Sequence, residues 1–174
     1  MNIETLPPMV TDGDFGELVT LLTDCVEGGA SIGFLAPVPR AEVEAYWRKV
    51  IADHAAGGRV ILVAREAADG RIAGSAQAAW ETKANGRHRA EVQKVMVRPS
   101  HRRRGLAARL MAGVEAAARA RGVRLLFLDT SDSHSGAREL YEALRYVYAG
   151  GIPGYALDPG GKPEQNAIFY KVLA

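Results

Sequence analysis

The sequence predicts an α+β fold: a mixed, mostly antiparallel sheet with a central parallel strand pair and flanking helices. Two observations carry that expectation. Three strand-like runs, 59–65, 72–80 and 89–97, are separated only by the turn signals Asp69-Gly70 and Asn85-Gly86, which suits an antiparallel meander. An amphipathic segment with Leu106, Leu110, Val114 and Ala118 on one face then separates the third run from an apolar strand, 123–130. A strand–helix–strand crossover of this kind joins parallel neighbours.

The remaining elements follow in chain order. Asp14–Val26 places Phe15, Leu18, Leu21, Leu22 and Cys25 at helical spacing, and Gly28-Gly29 ends that helix. An irregular loop, Ala30–Pro39, leads to a second helix over Arg40–Ala55, with Val43, Tyr46, Trp47 and Val50 on one face. After the crossover, Ser135–Leu144 reads as a helix with Ala137, Leu140, Tyr141 and Leu144 inward. Tyr146–Ala149 and Ala167–Leu173 read as closing strands around the Gly/Pro-rich loop Gly150–Gln165. No repeat or linker interrupts the pattern, so residues 1–174 are expected to form one domain.

Charge and composition exclude several classes. The formal net charge is only +2, with acidic residues spread along the chain, so no broad basic face follows a nucleic-acid backbone. No run of about 18 apolar residues spans a membrane, and MNIETLPPMV lacks the basic start and apolar stretch of a secretion signal. One cysteine, Cys25, forms no internal disulfide and fits a reducing cytoplasm. His54, His88, His101 and His134 show no ligand spacing, so no metal is expected.

Val95–Met111, VMVRPSHRRRGLAARLM, is the most informative stretch: strand, Arg-Pro turn, glycine-containing loop, helix. First-turn amides of a helix have no partner within it and carry partial positive charge, an arrangement that suits a diphosphate. Gly105 allows close approach of the backbone, and Ala107 is nearly as small. A solvated basic turn is the plainer alternative.

Arg102-Arg103-Arg104-Gly105-Leu106-Ala107 resembles the acyl-CoA pyrophosphate loop of the GNAT superfamily of N-acetyltransferases, and the element order resembles that fold along nearly the whole chain. Ala137-x-x-Leu140-Tyr141-Glu142-x-Leu144-x-Tyr146 is similar to the family's A-x-x-L-Y-x-x-x-G-F helix, with Arg145 at the position of the glycine. More narrowly, EGGASIGF, RAEVQKVMV, LDT, PGYALDP and AIFYKVL resemble the tabtoxin-resistance acetyltransferases of bacteria, which acetylate a small β-lactam amino-acid toxin.

The resemblance implies acetyl-CoA as acyl donor. It places the cofactor along Val95, Met96 and Val97, on Arg102, Arg103, Arg104, Gly105, Leu106, Ala107 and Ala108, and beside His134 and Ala137. It implies transfer to the primary amine of a small molecule, with neither nucleic acid nor membrane as partner. A peptide amine or a non-catalytic acyl-CoA sensor are the competing readings, and a homodimer through the terminal strands is compatible with all three.

Amine acetylation needs a proton acceptor, because a lysine-like amine is neutral in only about one molecule in 2,500 at pH 7. Glu91 precedes Arg102 by eleven positions, a spacing at which several family members keep a general-base carboxylate. It lies on the same strand face as Val95, about 13 Å along an extended strand at ~3.3 Å per residue, and so acts through water. A salt-bridged surface role with Arg87 or Arg89 is the alternative. Asp129, at the end of an apolar strand, either lines the site, caps the next helix or orients the turn. The resemblance gives Tyr141 the role of acid for the leaving thiolate; otherwise it is a core aromatic. Gly29 and Phe34 in one loop, and Tyr155 in another, are expected to line the acceptor pocket.

Overall fold

The computed structural model describes residues 1–132 and 136–173. Its order is β1 (Asn2–Thr5), α1 (Asp12–Glu27), α2 (Arg40–Ala55), β2 (Arg59–Arg65), β3 (Ile72–Trp80), β4 (Arg89–Val97), α3 (Leu106–Ala120), β5 (Leu125–Ser131), α4 (Ala137–Ala143), β6 (Val147–Gly150), β7 (Ala156–Leu157), β8 (Pro163–Glu164) and β9 (Asn166–Val172). Seven strands form one sheet in the order β1-β2-β3-β4-β5-β9-β6, and β7 and β8 make a separate hairpin. Every pairing is antiparallel except that of β4 with β5. The expected fold class is therefore the observed one, and the predicted limits of α2, β2, β3 and β4 coincide with those found.

Period-two alternation on β2 sends Val60, Leu62 and Ala64 to one face of the sheet and Ile61 and Val63 to the other. The first face packs against Leu110, Met111 and Val114 of α3 and Tyr141 of α4. The second packs against Leu18, Leu21 and Leu22 of α1 and Val43, Trp47 and Val50 of α2. Helices on both faces explain why this strand is apolar throughout instead of alternating.

Two features escaped the sequence reading. The edge strand β1 pairs with β2 over four residues, yet only Ile3 packs against the core, so there is no hydrophobic period to detect. Inside the loop 150–165, the two-residue strands β7 and β8 are held by main-chain pairing and the Asp158 turn, again without an apolar pattern.

The basic run also divides. Arg98 is not a ligand-facing cation: it donates to Glu17 (2.9 Å), Asp24 and the Ile72 carbonyl (2.8 Å), fastening α1 to the start of β3. With one arginine serving three acceptors, Arg98→Ala should lower unfolding free energy by about 1–3 kcal/mol. Urea denaturation of both proteins checks this, and no change would mean that the network is dispensable.

Candidate active site

The site originates in a fault in β4. Ser75 pairs with Met96 and Gln77 with Gln93, so Lys94 and Val95 together face Ala76 alone. Lys94 takes up the extra residue with φ +49. The bulge reverses the strand's alternation. Ala90 and Val92 belong to the α3 side, Val95 and Val97 pack on that same side, and Met96 turns to the α1–α2 side. Glu91 is thus on the face opposite Val95, and the shared face expected from an unbroken strand is corrected.

Pairing of β4 with β5 covers only Arg89–Glu91 against Leu125–Phe127, after which the strands part. A cleft of about 600 Å³ opens there. Its walls include Val95, Met96 and Val97 on β4, Thr130 and Ser131 on β5, Gly28–Ile32, and Ala137 and Tyr141 on α4. Arg102, Arg103, Gly105, Leu106, Ala107 and Ala108 line its other end.

That end is built for an anion. Gly105, the residue before α3, has φ +71, and Arg103 has φ +61. Alternating left-handed residues turn successive amides inward. Among the described residues no side chain caps α3, and its first main-chain bond is Arg109 N–H to the Gly105 carbonyl (3.2 Å), so the amides of residues 106–108 have no partner there. Met96 and Leu106 are buried in the core and also line the cleft. Gly29 lines the cleft itself, whereas Arg104 is exposed and stands outside the lining residues.

Tyr141 packs edge-on to Tyr146 and against Phe169, with ring centroids 5.9 and 5.6 Å away, so it is a core aromatic that also reaches the cleft. Burial, with the Asp129 charge nearby, pushes its phenol well above the usual tyrosine range. It therefore holds its proton at neutral and mildly alkaline pH.

On the opposite face lies a polar group that only Glu91 and Asp129 represented in the sequence reading. Leu126 and Leu128 turn to the α3 side, so Asp129, like Glu91, turns to the α1–α2 side. Neither carboxylate makes a hydrogen bond or ion pair among the described residues, and both act electrostatically on Lys94. Burial pushes the Lys94 ammonium below the usual lysine range, and these two charges oppose that shift.

Gln77, fully buried, accepts from Arg59 (2.9 Å) and bonds Tyr46 Oη, while Arg59 also donates to Gln93 (3.1 Å). Phe34 meets Tyr46 edge-on at 5.6 Å. Tyr155 is half-exposed and outside the lining residues, because the loop that carries it folds back as the β7–β8 hairpin. His134 lies outside the described residues. Among those residues no cluster of three His, Cys, Asp or Glu could hold a metal ion, and no helix is long and apolar enough to cross a membrane.

The family model for the acetyltransferase (GNAT) family matches residues 20–146. This chain belongs to the GNAT acetyltransferase family. An N-acetyltransferase of Azospirillum brasilense, described as uncharacterized and lying in the hisH–hisA intergenic region, is 36% identical over 135 residues, spanning 76% of this chain and 77% of that protein. A ribosomal-protein-alanine N-acetyltransferase from Brucella melitensis superposes with TM-score 0.80 at 20% identity, covering 99% of this chain and 100% of the other. A phosphinothricin acetyltransferase from Sinorhizobium meliloti, in complex with acetyl-CoA, gives TM-score 0.80 at 17% identity over 99% and 88% of the two chains. The GNAT chain described here is accordingly an acetyl-CoA-dependent acyltransferase, and its parted strands and uncapped α3 suit that donor.

One consequence is structural. In this acetyltransferase Gln77→Met takes an acceptor from Arg59 and the Nε2 donor from Tyr46 Oη, both half-buried, and should cost about 1–3 kcal/mol of stability. Thermal and urea unfolding measure it; an unchanged midpoint would show that the network rearranges freely.

Proposed function

We propose that this acetyltransferase moves the acetyl group directly onto the primary amine of a small molecule, of the amino-acid-like toxin or antibiotic kind. The observation that carries this reading is the division of acid–base groups between the two faces of the sheet. Tyr141 reaches the cleft from the α3–α4 side, and the unpaired carboxylates Glu91 and Asp129 stand on the α1–α2 side. Between them β4 and β5 have separated.

Acetyl-CoA, when bound, supplies an acetyl group activated as a thioester. Arg102, Arg103 and the amides of residues 106–108 hold its diphosphate, and the unpaired edge at Val95–Val97 takes the pantetheine arm as an added strand would be taken. The same edge offers main-chain donors to a carbonyl oxygen. Glu91 or Asp129, acting through water, accepts the proton that the substrate ammonium must lose before its neutral amine can attack. Removing that proton at neutral pH corresponds to roughly 4–5 kcal/mol for a lysine-like amine. Tyr141 Oη, still protonated, donates to the departing sulfur.

A small acceptor is favoured by how the α1–α2 side is closed. The Ala36 amide donates to the Pro159 carbonyl (2.9 Å), joining the 30–39 loop to the β7–β8 turn, and Ser131 Oγ donates to Glu164 (2.5 Å). A peptide would need an open groove across this closure. Cytoplasmic residence belongs to the same reading, supported by the single, buried Cys25. So does a homodimer, supported by the apolar strip of Val147, Tyr170 and Val172 exposed on one face of β6 and β9.

Incubation with acetyl-CoA and a panel of amino acids, β-lactam amino acids, polyamines, aminoglycosides and short peptides, read by mass spectrometry, tests the reading. An enzyme-dependent acetylated small amine supports it. Acetylation confined to peptides overturns the acceptor class, and acetyl-CoA binding without any product points to a sensor. With an accepted amine, Glu91→Gln should lower kcat/KM about 10²-fold while the affinity for acetyl-CoA holds. Tyr141→Phe should lower kcat about tenfold or more, and unchanged turnover in either variant removes that residue from the chemistry. Arg102→Ala or Arg103→Ala should each weaken acetyl-CoA about tenfold, less in high salt, as read by calorimetry at two ionic strengths.

A further inference from the structure

Lys94 is the residue to which both walls of the acceptor end refer, and the mechanism above leaves it unused. Its main chain makes the β4 bulge, and its side chain runs to the α1–α2 face. There Nζ donates to the Ile32 carbonyl at 2.6 Å and lies 5.7 Å from the Phe34 ring centroid and 5.5 Å from that of Tyr46. The charged groups facing it are Asp129 on β5, Glu91 on β4 and, with like sign, Arg59 on β2.

The segment it reaches has little else to hold it. The Ala30 amide bonds the Cys25 carbonyl and the Ala36 amide bonds the Pro159 carbonyl. Among the described residues, Lys94 is the one group that hydrogen-bonds the main chain between those two points. The segment is also shaped around it. A Cβ at Gly33, where φ is +85, would stand 3.3 Å from Nζ, tighter than ordinary contact. This short stretch serves both halves of the site, since Ala30, Ser31 and Ile32 line the cleft and Phe34 faces Tyr46.

We propose that Lys94 is a positioning residue for acetyl transfer: it pins the 31–35 segment to the β4 bulge and so fixes the place of the acceptor amine relative to the cleft. The inference rests on the acetyl-transfer reading above. The pin works because a charged donor to a carbonyl is stronger than a neutral one, and because the two aromatic faces favour a cation that burial has partly stripped of water. Lys94→Met keeps the apolar stem and removes the ammonium. Lys94→Arg keeps a cationic donor.

Amide hydrogen exchange by mass spectrometry reads the pin directly and needs no acceptor. In Lys94→Met, exchange of the Ala30 and Ala36 amides, the hydrogen-bonded ones that bracket the segment, should quicken about tenfold or more, while α1 and β3 keep their protection. With the amine found by the panel, its KM should rise about tenfold and kcat should change much less, and Lys94→Arg should recover part of both effects. Unchanged exchange at Ala30 and Ala36 overturns the pin. Protection lost equally in α1 and β3 makes Lys94 a general stabilising residue and overturns the positioning role. A loosened segment with unaltered KM also overturns that role. Should no amine be turned over by the unsubstituted protein, the acetyl-transfer reading fails, whereas the exchange result still decides whether Lys94 holds the segment.

Discussion

The structure depends on β4 and β5 ceasing to pair after three residues. Main-chain groups of a strand inside a sheet are ordinarily satisfied by both neighbours, and leaving them unpaired carries a free-energy cost. Here the cost falls where the bulge at Lys94 shifts the register of β4 against β3. The sheet stays continuous below that point, so its two helical layers keep a common scaffold. Above it, the gap opens into the cleft, and the first turn of α3 lies at the cleft's far end.

The same bulge determines how charge is distributed. By reversing the alternation of β4 it sends Glu91 and Lys94 to the α1–α2 side and Val95 and Val97 to the α3 side. The Glu91 and Asp129 carboxylates and the Tyr141 phenol therefore stand on opposite sides of the gap, instead of meeting in a direct bond. The Asp129 charge still reaches both Lys94 and Tyr141, which links the two sides electrostatically.

Much of the fold was legible because its signals are local. Arg59–Arg65, Ile72–Trp80 and Arg89–Val97 are bounded by Gly-containing turns, and their periodicities do not conflict. The start of α3 was legible because Gly105 stands directly ahead of the apolar face of Leu106, Leu110 and Val114. The bulge was not. A glycine or asparagine at position 94 would have advertised a positive φ, but a lysine gives no such signal, and EVQKVMV reads as an unbroken strand. That one hidden residue put Glu91 on the wrong face and concealed the contact with Ile32. Nor was the role of Arg98 legible, because its partners, Glu17 and Asp24, come from α1 more than seventy positions earlier.

The gap has a consequence for the free protein. From Val92 onward, one side of β4 is an interior sheet edge, a row of donors and acceptors with no strand beside them. Exposed edges invite strands from other molecules, and proteins ordinarily guard them with bulges, charges or a covering segment. This edge has a bulge at its start, a cluster of arginines past its end and α4 across its mouth. The features that shape the binding cleft thus also keep an unfinished sheet from being completed by a second chain.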